Sequence, residues 1–184
     1  MKTSNFKEMI APSLVLVIIC LVITAALAIT YQVTKPIINN INMKNANLAR
    51  AEVLPEGAGG FTAVDADLIE NVVDVYQADN KSGMTFTTID KGFGGQIEVM
   101  TGINSNGEIQ GVKITSHSET PGLGTKAMTP EHLSQYKGQA AITNTGEADA
   151  TNIDAITGAT ISSNAIFRAV ETALAQYEQL GGTQ

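Results

Sequence analysis

Apolar residues recur along this chain in three different ways, and each way predicts a different element. The first is an unbroken run. Between Leu14 and Ile29 there is no charge, and Thr24 is the one hydroxyl that interrupts. Taken from Ile10 to Tyr31, the run gives a helix of about 33 Å, enough to cross the hydrocarbon core of a bilayer. Tyr31 sits where an interfacial aromatic belongs. The reading is a short N-terminus over 1–9 and a membrane helix over 10–31. Pro36 then suits the first turn of a new helix. Its patchy apolar face holds Ile37, Ile41, Leu48 and Val53, and Leu54-Pro55 ends it. Residues 32–60 therefore read as a stalk helix and a linker, the linker being the Gly-rich stretch from Glu56 to Gly60.

The second pattern is short β-type runs and alternation. Residues 71–76 and 84–89 are strand-like, Gly92-Phe93-Gly94-Gly95 is a turn, and Ile97, Val99 and Thr101 alternate with Glu98 and Met100 as on a half-buried strand. Asn104 to Gly107 is a hairpin signal. Ile109, Val112 and Ile114 suggest the returning strand, with Gly111 as a bulge. His117 to Thr125 holds a proline and two glycines and reads as a loop. Pro130 to Tyr136 is a short helix stopped by Lys137-Gly138, and 139–153 is strand or loop.

The third pattern has the helical period. Ile166, Ala169, Val170, Ala173, Leu174 and Tyr177 form one stripe, with Arg168, Glu171, Gln176 and Glu178 on the other faces. Ser162 and Ser163 suit an N-cap just after Thr160, and Gly181-Gly182 ends the helix. Together the elements predict an α+β fold: a twisted antiparallel sheet over which a stalk helix and a C-terminal helix pack, with 32–184 outside the membrane and 61–184 as the folded domain after the stalk.

Composition narrows the function. The chain has 184 residues and a net charge of −7, so it repels nucleic acid. One cysteine, Cys20, forms no intramolecular disulfide, and no cysteine pair suggests a metal centre. Ala26-Leu27-Ala28 resembles a signal-peptidase site, but the apolar run is long for a cleaved leader. Val17-Ile18-Ile19 lacks the small residue that a lipid anchor at Cys20 requires. Orientation is not set by charge: Lys2 and Lys7 precede the span, and Lys35, Lys44 and Arg50 follow it. No G-x-G-x-x-G fingerprint follows a predicted strand, so a nicotinamide is not an expected ligand.

Candidate chemistry gathers where a small-residue loop, Asp154-Ala155-Ile156-Thr157-Gly158-Ala159-Thr160, feeds the C-terminal helix. A helix N-terminus offers free N–H groups and the positive end of the dipole, which stabilise a phosphate. By spacing alone the segment is an ordinary strand-to-helix turn.

The segment also resembles the D-x-x-[ST]-G-A-T motif of the FMN-binding domain found in the G subunit of the Rnf complex and the C subunit of the Na+-translocating NADH:quinone reductase. His117-Ser118-Glu119-Thr120-Pro121-Gly122-Leu123-Gly124 and Lys91-Gly92-Phe93-Gly94-Gly95 resemble two further signatures of that family, in family order, and Leu54-Pro55-Glu56-Gly57 a weaker fourth. The resemblance spans roughly 45–180. It implies FMN attached through a phosphoester to Thr160, with Thr157, Gly158 and Ala159 as neighbours. It also implies that Glu119, Thr120, Gly122, Leu123 and Gly124 line the flavin pocket, Leu123 over the ring face and the glycines permitting close backbone approach. No catalytic or metal-binding residue is implied. The function implied is a membrane-anchored electron-transfer subunit of an Rnf-type ferredoxin:NAD+ oxidoreductase, not catalytic alone. Its partners are other membrane subunits, and a flavin transferase matures it. The implied location is the cell (inner) membrane, single-pass, with the C-terminal domain extracytoplasmic. A stand-alone extracytoplasmic flavin-binding protein is the alternative.

Overall fold

A computed structural model describes residues 4–144 and 151–182. Residues 1–3 of the short N-terminus, and 145–150 of the segment read as strand or loop, lie outside the described residues. The chain divides into two compact units, 1–44 and 45–184. The first helix, α1, runs Ser4–Val53 and contains both Pro12 and Pro36. It does not restart at Pro36. The proline removes the bond to the Gln32 carbonyl, yet the helix continues through it. Every residue from Ile10 to Lys44 is exposed. The helix is long and apolar enough to cross a membrane, and its apolar side chains find no cover within the unit.

In the second unit five strands form one antiparallel sheet in sequential order: β1 Phe61–Ala63, β2 Val72–Ala78, β3 Gly83–Lys91, β4 Gln96–Asn104 and β5 Ile109–His117. The hairpin expected at Asn104–Gly107 joins β4 to β5. The pairing slips between Gly102 and Ile103 opposite Gly111 and Ile109, so the bulge falls beside Gly111. A five-residue helix, α2 (Pro130–Ser134), follows. Two short parallel strands, β6 (Ile142–Thr143) and β7 (Thr151–Asn152), lead to α3 (Thr160–Gln179).

The six stripe residues of α3 are all buried. They pack on Met84, Phe86, Ile97, Val99 and Ile103 of the sheet in one apolar core. Phe86 meets Tyr177 edge-on, with ring centroids 6.2 Å apart. Gln176, expected on an outer face, is fully buried. Its amide accepts from Ile69 N–H at 2.8 Å and donates to the Asp67 carbonyl at 3.2 Å, so it clips the loop before β2 to the helix.

The sheet's other face is also covered, which corrects the half-buried reading of β4. Met100 is buried against Ala49 and Val53 at the end of α1. Gly102 and Gly111 are cross-strand partners beneath it. A Cβ on Gly102 would fall 2.3 Å from the Val53 carbonyl oxygen, and one on Gly111 3.0 Å from Val53 Cα. Of the four apolar positions expected on the stalk helix only Val53 is buried; Ile37, Ile41 and Leu48 are exposed. Arg50 is buried with Ala49 and Leu54 beside it, and its guanidinium lies 3.5 Å from the Tyr76 ring centroid. Beside β5, α2 buries His132 and sits next to buried Tyr136. Burial lowers the His132 pKa below its usual value and raises that of Tyr136.

Candidate functional site

α3 starts at Thr160, and its N-cap is Ala159, with no side-chain cap bond. Ser162 and Ser163, expected near the cap, lie in the first turn and are buried. Their hydroxyls turn inward. Ser163 Oγ accepts the Ile156 N–H at 3.0 Å, which ties the preceding loop to the helix, and Ser163 N–H donates to the Ala159 carbonyl at 2.8 Å. Gly158 takes φ +82° with open space around it, a backbone conformation that favours glycine. The loop thus delivers Thr160, exposed, at the first position of an uncapped helix end.

Ser162 Oγ donates at 2.6 Å to Oε2 of Glu119. That carboxylate is buried, only 5% exposed. Its Oε1 accepts the Gly94 N–H at 2.8 Å. One side chain therefore connects the turn between β3 and β4, the loop after β5 and the first turn of α3. These are the three motif-bearing segments. Glycines make room for it: a Cβ on Gly92 would lie 2.4 Å from Oε1, and one on Gly124 2.0 Å from Oε2. The close approaches expected of glycines here are made to a carboxylate. Glu119 has no cationic partner among the described residues. His117 does not border the cavity that opens here; its Nδ1 accepts the Glu119 N–H at 3.2 Å.

A cavity of about 350 Å³ opens where the three segments meet, within the range of small-molecule pockets, roughly 300–1,000 Å³. Seven of the nine residues expected around a ligand border it: Glu119, Thr120, Leu123, Gly124, Gly158, Ala159 and Thr160. Thr157 and Gly122 do not. Gly122 has φ +77° and nothing near its absent Cβ, so its requirement is the turn, not an approach to the cavity. Three bordering residues go beyond the sequence reading: Phe93, Ile161 and Ser162. Phe93 lies inside one of the motifs, which is the signal that could have found it. Ser162 has the sequence character of a cap, and that hides its link to Glu119.

The chemistry of this wall is specific. Beyond α1, five large hydrophobic side chains are exposed among the described residues, and three of them, Phe93, Leu123 and Ile161, border this one cavity. Thr160 puts a hydroxyl beside them, at the helix end where an anion is stabilised. No lysine or arginine borders the cavity among the described residues. The arrangement suits an apolar group that carries an anion to the helix end.

Comparison with known proteins agrees in kind. Residues 92–175 match the model of the FMN-binding domain. Over 198 residues the chain is 31% identical to the G subunit of the Na(+)-translocating ferredoxin:NAD(+) oxidoreductase complex of Acetobacterium woodii, covering 96% of this chain and 95% of that one. It is 31% identical over 179 residues to the G subunit of the ion-translocating oxidoreductase complex of Methanosarcina acetivorans, covering 93% and 95%. Among solved structures, the C subunit of the Na(+)-translocating NADH-quinone reductase of Parabacteroides distasonis aligns with a TM-score of 0.47 at 23% identity, over 59% of this chain and 60% of that one.

Proposed function

The chain belongs to the family of G subunits of ion-translocating oxidoreductase complexes, and from that membership we propose that it is the membrane-anchored electron-transfer subunit of such a complex, with FMN joined through its phosphate to Thr160. Bound flavin supplies the electron-carrying chemistry. The residues of this chain hold and orient it. Leu123 and Ile161 offer apolar surface to the ring, the first turn of α3 offers N–H groups to the phosphate, and Glu119 keeps the three loops together. The match over nearly the whole chain, α1 included, favours a subunit of a complex over a stand-alone flavin-binding protein.

The observation that carries the covalent reading is the placing of Thr160: an exposed hydroxyl at an uncapped helix start, on the rim of an apolar cavity that no lysine or arginine borders among the described residues. A phosphate there gains from the helix dipole on the order of 1 kcal/mol, too little for permanent retention. An ester supplies the rest. Thr160 Oγ1 forms the new bond to the FMN phosphorus of FAD, AMP leaves, and a separate flavin transferase catalyses the exchange. The test is intact mass of protein matured with that transferase. Wild type is expected to gain FMN minus water, and Thr160→Val to gain nothing. An unmodified wild type, or a modified Thr160→Val, overturns the proposal.

The domain is further proposed to lie outside the cytoplasm, with residues 10–31 as the uncleaved span. Protease added to intact spheroplasts is expected to digest residues 45–184. Digestion only after lysis overturns that orientation.

A further inference from the structure

Phe93 is the most exposed large hydrophobic side chain beyond α1 among the described residues, at 76%. Its backbone, by contrast, is closely held. Gly92 N–H donates to the Gly95 carbonyl at 2.8 Å and closes the turn. A Cβ on Gly94 would fall 2.3 Å from the Ser118 carbonyl oxygen, and one on Gly92 2.4 Å from Glu119 Oε1. The turn therefore lies hard against residues 118 and 119, and the Gly94 N–H is bonded to the Glu119 carboxylate. A fixed backbone presents an uncovered aromatic ring at the edge of an apolar cavity. Leaving a phenylalanine exposed forgoes the stabilisation of burial, which a ligand in the cavity would recover.

We propose that Phe93 packs its ring against the isoalloxazine of the bound flavin, and that Glu119 is the positioning residue that holds the Phe93 turn in place. The inference rests on the flavin reading above and goes beyond it, because it assigns a ring contact to a strand turn and a holding role to a carboxylate that need not touch the ring. Aromatic rings stack offset or edge-on, so the contact acts on the flavin's spectrum and not on its attachment.

The chain offers an unusually clean test because it contains no tryptophan, and none of its tyrosines borders the cavity. Full-length Phe93→Trp and Phe93→Ala are matured with the flavin transferase. Loading is read by intact mass, and flavin fluorescence is read before and after denaturation. The loaded fraction of Phe93→Trp is expected to lose most of its native flavin fluorescence to the adjacent indole and to regain it on unfolding. Phe93→Ala is expected to load and to shift the visible flavin band. Adding Glu119→Ala to Phe93→Trp is expected to lower loading, and in the fraction that intact mass shows to be loaded it should restore native fluorescence in part, since the turn is released. Adding Glu119→Gln should not, because its remaining oxygen still accepts the Gly94 N–H. If loaded Phe93→Trp fluoresces as wild type and loaded Phe93→Ala keeps the wild-type band, the ring contact is refuted. If Glu119→Ala and Glu119→Gln behave alike, the holding role is refuted. A wild type that gains no mass refutes the flavin reading itself, and is told apart by that measurement alone.

Discussion

From Ala165 to Tyr177, α3 meets the sheet chiefly through apolar side chains, each contact one of many, with the Thr88 hydroxyl's bond to the Ala169 carbonyl and the Arg168–Asp90 pair as polar additions. Over Thr160 to Ser163 the same helix meets its surroundings through single hydrogen bonds: Ser162 to Glu119, Ile156 to Ser163. The body is redundant and the first turn is not. Loss of a buried methyl in the body lowers stability in proportion to its volume. Loss of one polar atom in the first turn releases a whole loop. A site that must accept a ligand cannot be packed to interior density, so its shape depends on a few directional bonds.

The largest expected effect tests the body. Phe86→Ala removes the ring that Tyr177 packs against and should cost about 3–5 kcal/mol, seen as a fall in thermal midpoint. Flavin loading of the remaining folded protein should not change; a selective loss of loading would mean that the two ends are not independent. Gly124→Ala tests the first turn. The added Cβ displaces the Glu119 carboxylate, costing about 1–3 kcal/mol for its released partners. Here loading should suffer more than the midpoint does. Gln176→Leu is the substitution most able to break the contrast. It strips the Ile69 N–H of its acceptor in the middle of the apolar body, at about 1–3 kcal/mol, and amide exchange at Ile69 should quicken. Exchange as slow as wild type would show that the body absorbs even a lost polar contact.

A pH titration separates α3 from the rest of the domain. Burial lowers the His132 pKa below its usual value, so the unfolded chain binds the proton more readily. Stability is full above the unfolded imidazole's pKa, near 6.5, and is lost as pH falls below it, by at most about 1.4 kcal/mol per pH unit. His132→Gln should flatten that slope in urea unfolding at pH 7 and pH 5, and the α3 variants should keep it. The smallest effect belongs to Arg168→Ala. Its fork to Asp90, at 2.6 and 3.2 Å, is half-exposed and should contribute about 0–1 kcal/mol, vanishing in high salt.

Much of this was legible in the chain because periodicity reports burial on one element at a time. The α3 stripe, the hairpin at Asn104–Gly107 and the bulge beside Gly111 were readable for that reason. What one strand meets on its second face is not a local property. Met100 looks outward by alternation, and only the arrival of Ala49 and Val53 buries it. Gln176 has the pattern of a surface residue, but two backbone groups from residues 67 and 69 come to it. In the site, the motif residues marked the three segments. The bond from Gly94 to Glu119 and from there to Ser162 could not be read, because it joins positions 25 and 43 residues apart.

The seat of Val53 on Gly102 and Gly111 bears on where this chain can be cut. Strand patterning alone suggests that the soluble domain starts at Phe61. A fragment beginning there would bare Met100 and the glycine pair, exposing an apolar groove to self-association. Cleavage ahead of Asn45 would keep Ala49, Arg50 and Val53 with the sheet they cover. The end of the first helix is in that sense the domain's own lid, and a soluble, monomeric flavoprotein domain has to be released with it attached.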